Sequence, residues 1–438
     1  MAINCRFLCV SGGFFVYLRV MKRWLWAGAA ILAVSCGTAP REETITELRE
    51  RVFSLARSQV EYMDSLLTAK MPGQAGHDGS PARSAMAGNS ARSVMAGSDR
   101  PSPEWRCPRT FQGDTLVTSD IGWWCSGFYP GVLWTVYAET GDEAVRDLAV
   151  KHTLPLSRLL EQDTDHDIGF QLMSSFGKMA LYRPSEKGLS PDSVLRRGAV
   201  KLEERFVPGA GVLRSWNFGP WKNPVIIDNM MNLELLMAYG HPEIAEKHAL
   251  TTAANHFRED GTTWHLVDYA DKGTVLGKQT VQGYADDSAW ARGQAWALYG
   301  YAMMALREKA SGNEALAKTF YEVAHKLESW LYSRLPEDGI PYWDFSQTDL
   351  RDASAGAIIA CGLLKLRQFR GAEDDGLALS TAERILRTLA SPEYLAEPET
   401  NGGFLLKHSV GNRPAGSEVD VPLTYADYYF LEALRLIR

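Results

Sequence analysis

The sequence predicts an all-α domain in which inner and outer helices alternate around a closed ring. Long segments carry apolar residues at spacings of three and four, which is typical of amphipathic helices, and alternating strand patterns are scarce. A connector recurs between these segments, in which a glycine suited to the left-handed conformation precedes an acidic residue that opens the next helix. These glycines are Gly141, Gly240, Gly312 and Gly371. Their unequal spacing disfavours a solenoid of fixed period, so a toroid is expected.

The helical pattern is clearest over residues 45–67, 243–257, 291–310, 314–335 and 355–369. In a toroid the cavity lies at the N-termini of the inner helices and in the loops that lead into them. This arrangement predicts that two short segments reach the cavity. They are 165–170, "DHDIGF", and 226–231, "IIDNMM".

Composition limits the class of protein. The chain has 438 residues, of which 45% are apolar and 11% aromatic, enough for one large core or two ordinary domains. The formal net charge of −7 and the lack of long basic runs argue against nucleic acid as a partner. An acidic substrate would therefore have to be held by a few local cations and hydrogen-bond donors.

The N-terminal region carries a targeting pattern. Residues 21–36, "MKRWLWAGAAILAVSC", show a basic start, a short apolar run and small residues before Cys36. This pattern predicts an exported protein of a Gram-negative bacterium, located in the periplasm or attached to the outer membrane by a lipid on Cys36. A plain cleaved signal is the alternative. Residues 1–20 are interpreted as an upstream extension, and the Gly-, Ser-, Ala- and Pro-rich residues 71–104 as a flexible surface insertion.

Few cysteines lie beyond Cys36. Cys107, Cys125 and Cys361 form no CxxC pair for a metal. An exported protein permits a disulfide, and Cys107 and Cys125 are close enough in sequence to close a small loop. Three separate buried thiols are the alternative.

Aromatic residues cluster in 122–134, 214–224 and 284–300. Indole and phenol faces stack on sugar rings while their polar edges bind hydroxyls, so tryptophan-dense loops near carboxylates favour a carbohydrate cleft. Trp124, Trp290 and Trp296 are the candidates for cleft walls. Burial in the helical core is the alternative for each.

Three aspartates precede apolar helical runs. Asp165 is interpreted as a helix cap. Asp167 and Asp228 have apolar flanks that a cap does not require, and low dielectric with a nearby like charge is what raises the pKa of a general acid. If the two face each other, one can stay ionised while the other holds a proton near neutral pH.

The chain resembles the unsaturated glucuronyl hydrolases of glycoside hydrolase family 88 from about Trp124 to the C-terminus. The segments that carry the resemblance are "HDIGF" at 166–170, "IIDNMMNLELL" at 226–236, "QGYADDSAWARGQAWALYGYA" at 282–302, "PYWDF" at 341–345, "DASAGAIIACGLL" at 352–364 and "AGSEVDVPLTYADYYFLEAL" at 415–434. The resemblance implies an (α/α)6 barrel as a single catalytic domain over residues 37–438. It implies a lyase-generated oligosaccharide substrate with a 4,5-unsaturated uronic acid at its non-reducing end.

The resemblance also implies roles for individual residues. Asp228 matches the general acid and base that protonates C4 of the enol ether and activates water for C5, and Asp167 matches its partner carboxylate. No metal and no organic cofactor is implied. The residues that match sugar-contacting positions are His265, Gln282, Trp290, Arg292 and Trp296. Trp216 is the candidate for a further stacking wall, and Trp221 in the same segment is the alternative. Arg292 is the candidate for the substrate carboxylate, because a guanidinium binds it as a fork.

The C-terminal segment 405–420 lies where the family senses the neighbouring sugar, and Ser409, Asn412 and Arg413 are the candidates there. Glycosaminoglycan-derived substrates are the preferred expectation. An unsaturated rhamnogalacturonyl hydrolase with the same chemistry, a non-catalytic glycan-binding lipoprotein and a conventional glycosidase on the same ring remain alternatives. The oligomeric state is left open.

Overall fold

The structure, a computed structural model, describes residues 41, 43–69, 105–183 and 190–437. The expected signal region 1–36 and the expected insertion 71–104 lie outside the described residues. Residues from Thr44 onward belong to one compact unit, in which helices alternate between an inner and an outer layer.

In the part of the chain that is described, six helical segments form the inner layer. They are α2 (Phe128–Thr140), α4 (Ile168–Leu172) continued by a π-helical turn (Met173–Gly177) into α5 (Lys178–Tyr182), a 3-10 turn (Ile227–Asn232) continued by α7 (Leu233–Tyr239), α9 (Ala291–Ser311), α11 (Ala353–Arg370) and α13 (Thr424–Leu436). The outer layer consists of α1 (Ile45–Ala69), α3 (Glu143–Thr153), α6 (Pro191–Glu203), α8 (Pro242–His256), α10 (Glu314–Arg334) and α12 (Leu377–Leu389). Further 3-10 turns span Leu154–Glu161, Gly371–Glu373 and Asn401–Gly403.

Burial distinguishes the two layers. Every residue from Ala353 to Leu364 of α11 is buried, since this helix packs on neighbours all round. By contrast, α1 buries one stripe that includes Leu48, Val52 and Met63, and its other face is solvated.

Closure of the ring depends on contact between α2 and α13. The rings of Phe128 and Tyr428 lie edge to face with centroids 5.3 Å apart. A β-carbon added at Gly131 would lie 2.5 Å from the Tyr428 ring, so only glycine allows this approach. The first inner helix therefore packs on the last. The predicted all-α toroid, an (α/α)6 barrel, is confirmed.

The recurring connectors adopt the predicted left-handed conformation at two of the four glycines. These are Gly141, with φ of 69° and ψ of 13°, and Gly312, with φ of 84° and ψ of 10°. Gly371 has a positive φ of 61° but a ψ of −119°, outside the left-handed helical region, and Gly240 has a φ of −121°. Glycine is needed there for space, because a β-carbon would lie 2.7 Å from Glu203 Oε1.

The described strands are short and antiparallel. They are β1 (Cys107–Gln112), β2 (Thr115–Ser119), β3 (Phe206–Val207), β4 (Val212–Leu213), β5 (Pro224–Ile226), β6 (Leu266–Tyr269), β7 (Val275–Gln279), β8 (Ser409–Asn412) and β9 (Ser417–Val421). They pair as β1-β2, β3-β4, β5-β6-β7 and β8-β9. Strand β5 leads directly into the inner 3-10 turn, and β8 packs beside the start of α11, so these sheets reach the N-terminal end of the inner layer.

The cysteine alternatives are resolved in favour of separate buried thiols. Cys107, Cys125 and Cys361 are free and buried. The Cys107 thiol lies 3.8 Å from the carbonyl oxygen of Cys125 and forms no bridge to its sulfur. Burial raises the pKa of both thiols. None of the described helices has the length and hydropathy needed to span a membrane.

Candidate active site

A cavity of about 190 Å³ lies at the N-terminal end of the inner helices, as the sequence predicted. Its lining combines carboxylates, histidines and aromatic rings, most of them from the segments that the sequence analysis singled out. The lining residues are Arg109, Trp123, Trp124, Asp165, His166, Asp167, Trp216, Phe218, Ile226, Asp228, His265, Val281, Gln282, Arg292, Gly411, Asn412, Ser417, Glu418 and Tyr425.

Asp228 lies in this cavity because the chain turns inward directly after β5. Ile226 pairs with Leu266 in β6, and the Ile227 amide donates to the carbonyl of His265 at 2.9 Å, so the chain turns inward at Asp228. The side chain is 13% exposed, and among the residues described its Oδ2 has no hydrogen-bond partner. Burial raises the pKa of Asp228 to about 7, although the Arg292 charge and the Trp296 indole act in the opposite direction.

Asp167 precedes α4 without capping it. It occupies the N-cap position, but its carboxylate accepts no helix N–H. Asp165 accepts the amide of Asp167 at 3.0 Å. Because Asp167 is the N-cap residue and lies before the helix, this bond orders the turn that leads into α4, and the helix cap predicted for Asp165 stays a prediction. Burial, followed by the charges of Asp165 and Asp228, raises the pKa of Asp167 well above its ordinary value. Asp167 and Asp228 therefore titrate as a pair that retains a proton more readily than isolated carboxyls.

His265 faces Asp228 in one defined tautomer. Its Nδ1 accepts the backbone amides of Val281 at 2.9 Å and Gln282 at 3.2 Å. The hydrogen of the neutral ring must therefore lie on Nε2, which is 3.8 Å from Asp228 Oδ2. Burial and the Arg292 charge lower the pKa of His265 to about 3, so the ring is neutral at physiological pH. Within the described part of the chain, Nε2 has no hydrogen-bond partner and can donate to a ligand.

Arg292 lines the cavity, but its guanidinium fork is already occupied. Its two terminal nitrogens donate to the carbonyls of Val410 and Gly411 in β8. Asp352 Oδ2 lies 3.5 Å from the same group, and the Arg292 side chain is 2% exposed. The geometry shows that Arg292 holds β8 against the barrel, and its binding of a substrate carboxylate stays a prediction.

The other predicted contacts divide into two groups. Trp124, Trp216 and Gln282 line the cavity, and Gln282 Nε2 donates to Gly411 O at 3.3 Å. The structure does not place Trp290, Trp296 or Ser409 on its wall.

The three residues away from the wall are buried behind it. Trp290 packs on the His265 ring at 4.6 Å, so it supports a wall residue from behind. Trp296 is fully buried between Phe170 and Tyr429. Ser409 is fully buried within β8. Arg413, on the turn after β8, lies 3.6 Å from Asp349.

Sequence reasoning missed an ion pair at the cavity rim. Arg109 pairs with Glu418, and its guanidinium lies 4.0 Å from the centroid of the Trp123 ring. No local pattern connects Arg109 to Glu418, since 309 residues separate them. Trp123 and Tyr425 are also on the wall, and both lie inside segments that the sequence had already singled out.

The geometry defines a class of protein. A protonatable carboxyl without a partner, a second carboxyl coupled to it and a neutral histidine donor share one tryptophan-lined cavity. These groups are the ones that an acid-base carbohydrate hydrolase on a helical barrel requires. Among the described residues, no group of three or more His, Cys, Asp and Glu side chains is arranged to hold a metal ion.

Comparison with known proteins identifies the family. No family model matches the chain. It is 38% identical over 326 residues to an unsaturated glucuronyl hydrolase of Formosa agariphila, covering 71% of this chain and 79% of that protein. It is 31% identical over 347 residues to an unsaturated chondroitin disaccharide hydrolase of Streptococcus pneumoniae, covering 75% and 84%. The chain belongs to the unsaturated glucuronyl hydrolase family and is a glycoside hydrolase.

A solved structure supports the same assignment. The crystal structure of an unsaturated glucuronyl hydrolase specific for heparin superposes with a TM-score of 0.74 at 37% identity. The match covers 89% of this chain and 97% of that one.

Proposed function

We propose that this enzyme removes a 4,5-unsaturated uronic acid from the non-reducing end of lyase-generated oligosaccharides by hydrating the C4=C5 enol ether. The observation that carries the proposal is Asp228, a largely buried carboxyl with an unpartnered oxygen and a pKa of about 7 in a sugar-sized cleft. Such a group can hold a proton near neutral pH and release it to a bound ligand.

The reaction needs one acid-base group and one water. Asp228 donates its proton to C4, which places oxocarbenium character at C5. Water adds to C5 and returns a proton to the Asp228 carboxylate, so the catalyst is regenerated. The resulting hemiketal opens to a ketone at C5, and the hemiacetal left at C1 breaks down to release the aglycone as an alcohol. This differs from ordinary glycoside hydrolysis, in which the chemistry occurs at the anomeric carbon.

The other cavity residues have supporting roles in this proposal. Asp167 in its charged form disfavours ionisation of Asp228 and so keeps the proton available. The His265 Nε2 hydrogen and the Gln282 amide supply directed hydrogen bonds for the unsaturated ring. Trp124 and Trp216 provide apolar faces for the sugar rings.

Glycosaminoglycan fragments are the proposed substrate source. Two relatives support this choice, an unsaturated chondroitin disaccharide hydrolase and an unsaturated glucuronyl hydrolase specific for heparin. An unsaturated rhamnogalacturonide remains the second candidate because it presents the same enol ether.

The test is loss of near-ultraviolet absorbance, which reports the conjugated enol carboxylate. Purified residues 37–438 are incubated with unsaturated disaccharides made by chondroitin, hyaluronan, heparin and pectin lyases. The proposal expects loss with at least one glycosaminoglycan product and none with Asp228→Asn. Loss only with the pectin product would move the assignment to the rhamnogalacturonide activity. Binding without any loss would favour a glycan-binding protein.

We also propose that the protein is exported and anchored through a lipid on Cys36, on the strength of the 21–36 pattern alone. Expression in a Gram-negative host with labelled palmitate should label the wild type and not Cys36→Ser. Export without label would support the plain cleaved signal, and retention in the cytoplasm would refute both.

A further inference from the structure

A buried amide behind the cavity has a fixed orientation. Asn232, at the end of the inner 3-10 turn, accepts the Phe170 amide on Oδ1 at 2.7 Å. Because Oδ1 takes that hydrogen bond, the NH2 group points the opposite way. It lies 3.3 Å from His166 Nδ1, and it also acts on the Asp167 carboxylate, whose charged form it favours.

This orientation fixes the tautomer of His166. The Asn232 amide nitrogen has only hydrogens to offer, so His166 Nδ1 must accept. The neutral imidazole therefore carries its hydrogen on Nε2, and Nε2 lies 3.4 Å from Asp167 Oδ1. Burial lowers the pKa of His166 to about 3, so the ring stays neutral through the physiological range.

The backbone around His166 is also constrained. The His166 amide donates to the Ser215 carbonyl at 3.1 Å, and the Gly169 amide donates to the His166 carbonyl at 3.3 Å. His166 itself is 1% exposed. The backbone of His166 is thus held on both sides at the entrance to α4, next to the carboxyl that the ring faces.

We propose that His166, oriented by Asn232, is a positioning residue that directs an N–H hydrogen at Asp167 and keeps this carboxylate charged and aligned beside Asp228. The proposal rests on the proposed function, in which Asp228 holds the proton of the pair and Asp167 carries the charge. The corresponding donor at Asp228 is more distant, since His265 Nε2 lies 3.8 Å from Asp228 Oδ2.

The other charged groups around the site do not replace this donor. Asp165 and Asp228 both disfavour the charge on Asp167, and Arg205 favours it. The Arg205 guanidinium is already committed, since it donates to the carbonyls of Arg214 and Thr164 and to Asn217 Oδ1. His248, which also acts on His166, has its pKa lowered to about 3 by burial and carries no charge at neutral pH.

Two substitutions of His166 test its hydrogen-bond donor separately from the volume of its ring. His166→Gln retains an amide N–H within reach of the Nε2 position, whereas His166→Asn reaches only the Nδ1 position. The pH dependence of kcat/KM is measured for both and for wild type, with thermal unfolding as the check on folding. We expect the acidic limb of His166→Asn to move up by about one pH unit, because losing a donor raises the pKa of a carboxylate. His166→Gln should stay close to wild type.

Equal shifts in the two variants, or no shift in either, would overturn the proposal. Nitrogen-15 histidine spectra give a readout that needs no substrate, with the His166 signals identified by their loss in His166→Gln. An Nε2–H tautomer that does not titrate between pH 5 and 8 is expected, and an Nδ1–H tautomer contradicts the inference. A wild type that hydrolysed no unsaturated uronide would refute the proposed function, while these spectra would still decide the tautomer.

Discussion

The barrel holds buried carboxylates at two depths, and they behave in opposite ways. At the N-terminal end of the inner helices, Asp228 has an unpartnered oxygen and a pKa raised to about 7. Near the other end, Glu432 of α13 accepts Tyr299 at 2.6 Å and Lys178 at 3.0 Å, with Lys365 at 3.7 Å. These partners outweigh burial and lower the pKa of Glu432 to about 2. The supply of partners, and not burial, therefore decides which carboxyl is available for proton transfer.

Cavity size alone would point to the wrong end. A larger cavity of about 440 Å³ adjoins Glu432. The charges around Glu432 are paired, since Glu432 contacts two lysines and Glu234 pairs with Arg307. The smaller cavity is the one whose carboxyl and histidine atoms lack partners in the described part of the chain, and unsatisfied buried groups are what a ligand can satisfy.

The largest effect is expected from Asp228→Asn. The amide preserves shape but cannot donate the catalytic proton, so kcat should fall by roughly 10²- to 10⁴-fold. The matched control is Asp427→Asn. Asp427 is also buried with a pKa raised to about 7, but it accepts the amides of Leu405 and Leu406 and does not line the cavity. Comparable kcat losses in both variants would remove the distinction between the two carboxyls.

Asp228→Asn should also stabilise the fold. The folded pKa lies above the ordinary value of 3.8, so folded protein binds this proton more tightly and loses stability as pH rises from about 4 to 7. Removing the charge should raise stability at pH 8 by up to about 4 kcal/mol, and by less at pH 5. Thermal unfolding at both pH values measures this. A lower Tm at pH 8 would contradict it.

Glu432→Gln should have the opposite effects to Asp228→Asn, lowering stability and leaving activity unchanged. Two partly buried lysines would lose their shared buried anion, which costs up to about 3–5 kcal/mol, while kcat/KM of the folded enzyme stays near wild type. The pKa is lowered, so the stabilisation is present above about pH 4.5 and is lost as pH falls through about 2. Urea unfolding at pH 7 and pH 3 should show a smaller difference at pH 3. A loss of kcat/KM as large as that of Asp228→Asn would assign a catalytic role to this end of the barrel.

The pH profile sharpens the same comparison. With Asp228 as the proton donor, kcat/KM should fall about tenfold per pH unit above roughly pH 7. It should also fall at acid pH, where the Asp167–Asp228 pair takes up its second proton. Rates constant up to pH 9 would exclude Asp228 as the acid. The Asp427→Asn variant should keep the wild-type profile.

A smaller effect is expected from Arg292→Lys. An ammonium cannot hold the Val410 and Gly411 carbonyls in one fork, so β8 should loosen and KM should rise by roughly tenfold with less change in kcat. Steady-state kinetics and hydrogen exchange at Ser409–Asn412 measure the two effects. A higher KM without faster exchange would instead assign the fork to the substrate carboxylate.

Much of this architecture could be predicted because it depends on local pattern. Helical spacing, Gly141 and Gly312 and the order of the motifs predicted the ring and the end at which the cavity lies. The apolar flanks of Asp228 predicted burial and a raised pKa, and burial is the cause that raises it. Gly240 departed from prediction because its requirement is space beside Glu203, a contact from another helix.

The sequence by itself determined the helical barrel, the family and the pair Asp167 and Asp228, because repeated spacing and motifs are properties of neighbouring residues. Only the tertiary structure decided which atoms have partners. In the folded protein Trp296 is buried in the core, and the Arg292 guanidinium donates to β8. Arg109 pairs with Glu418, and the Nε2 hydrogen of His265 faces Asp228. Hydrogen bonds depend on distances between segments far apart in the chain, and no local pattern encodes those distances.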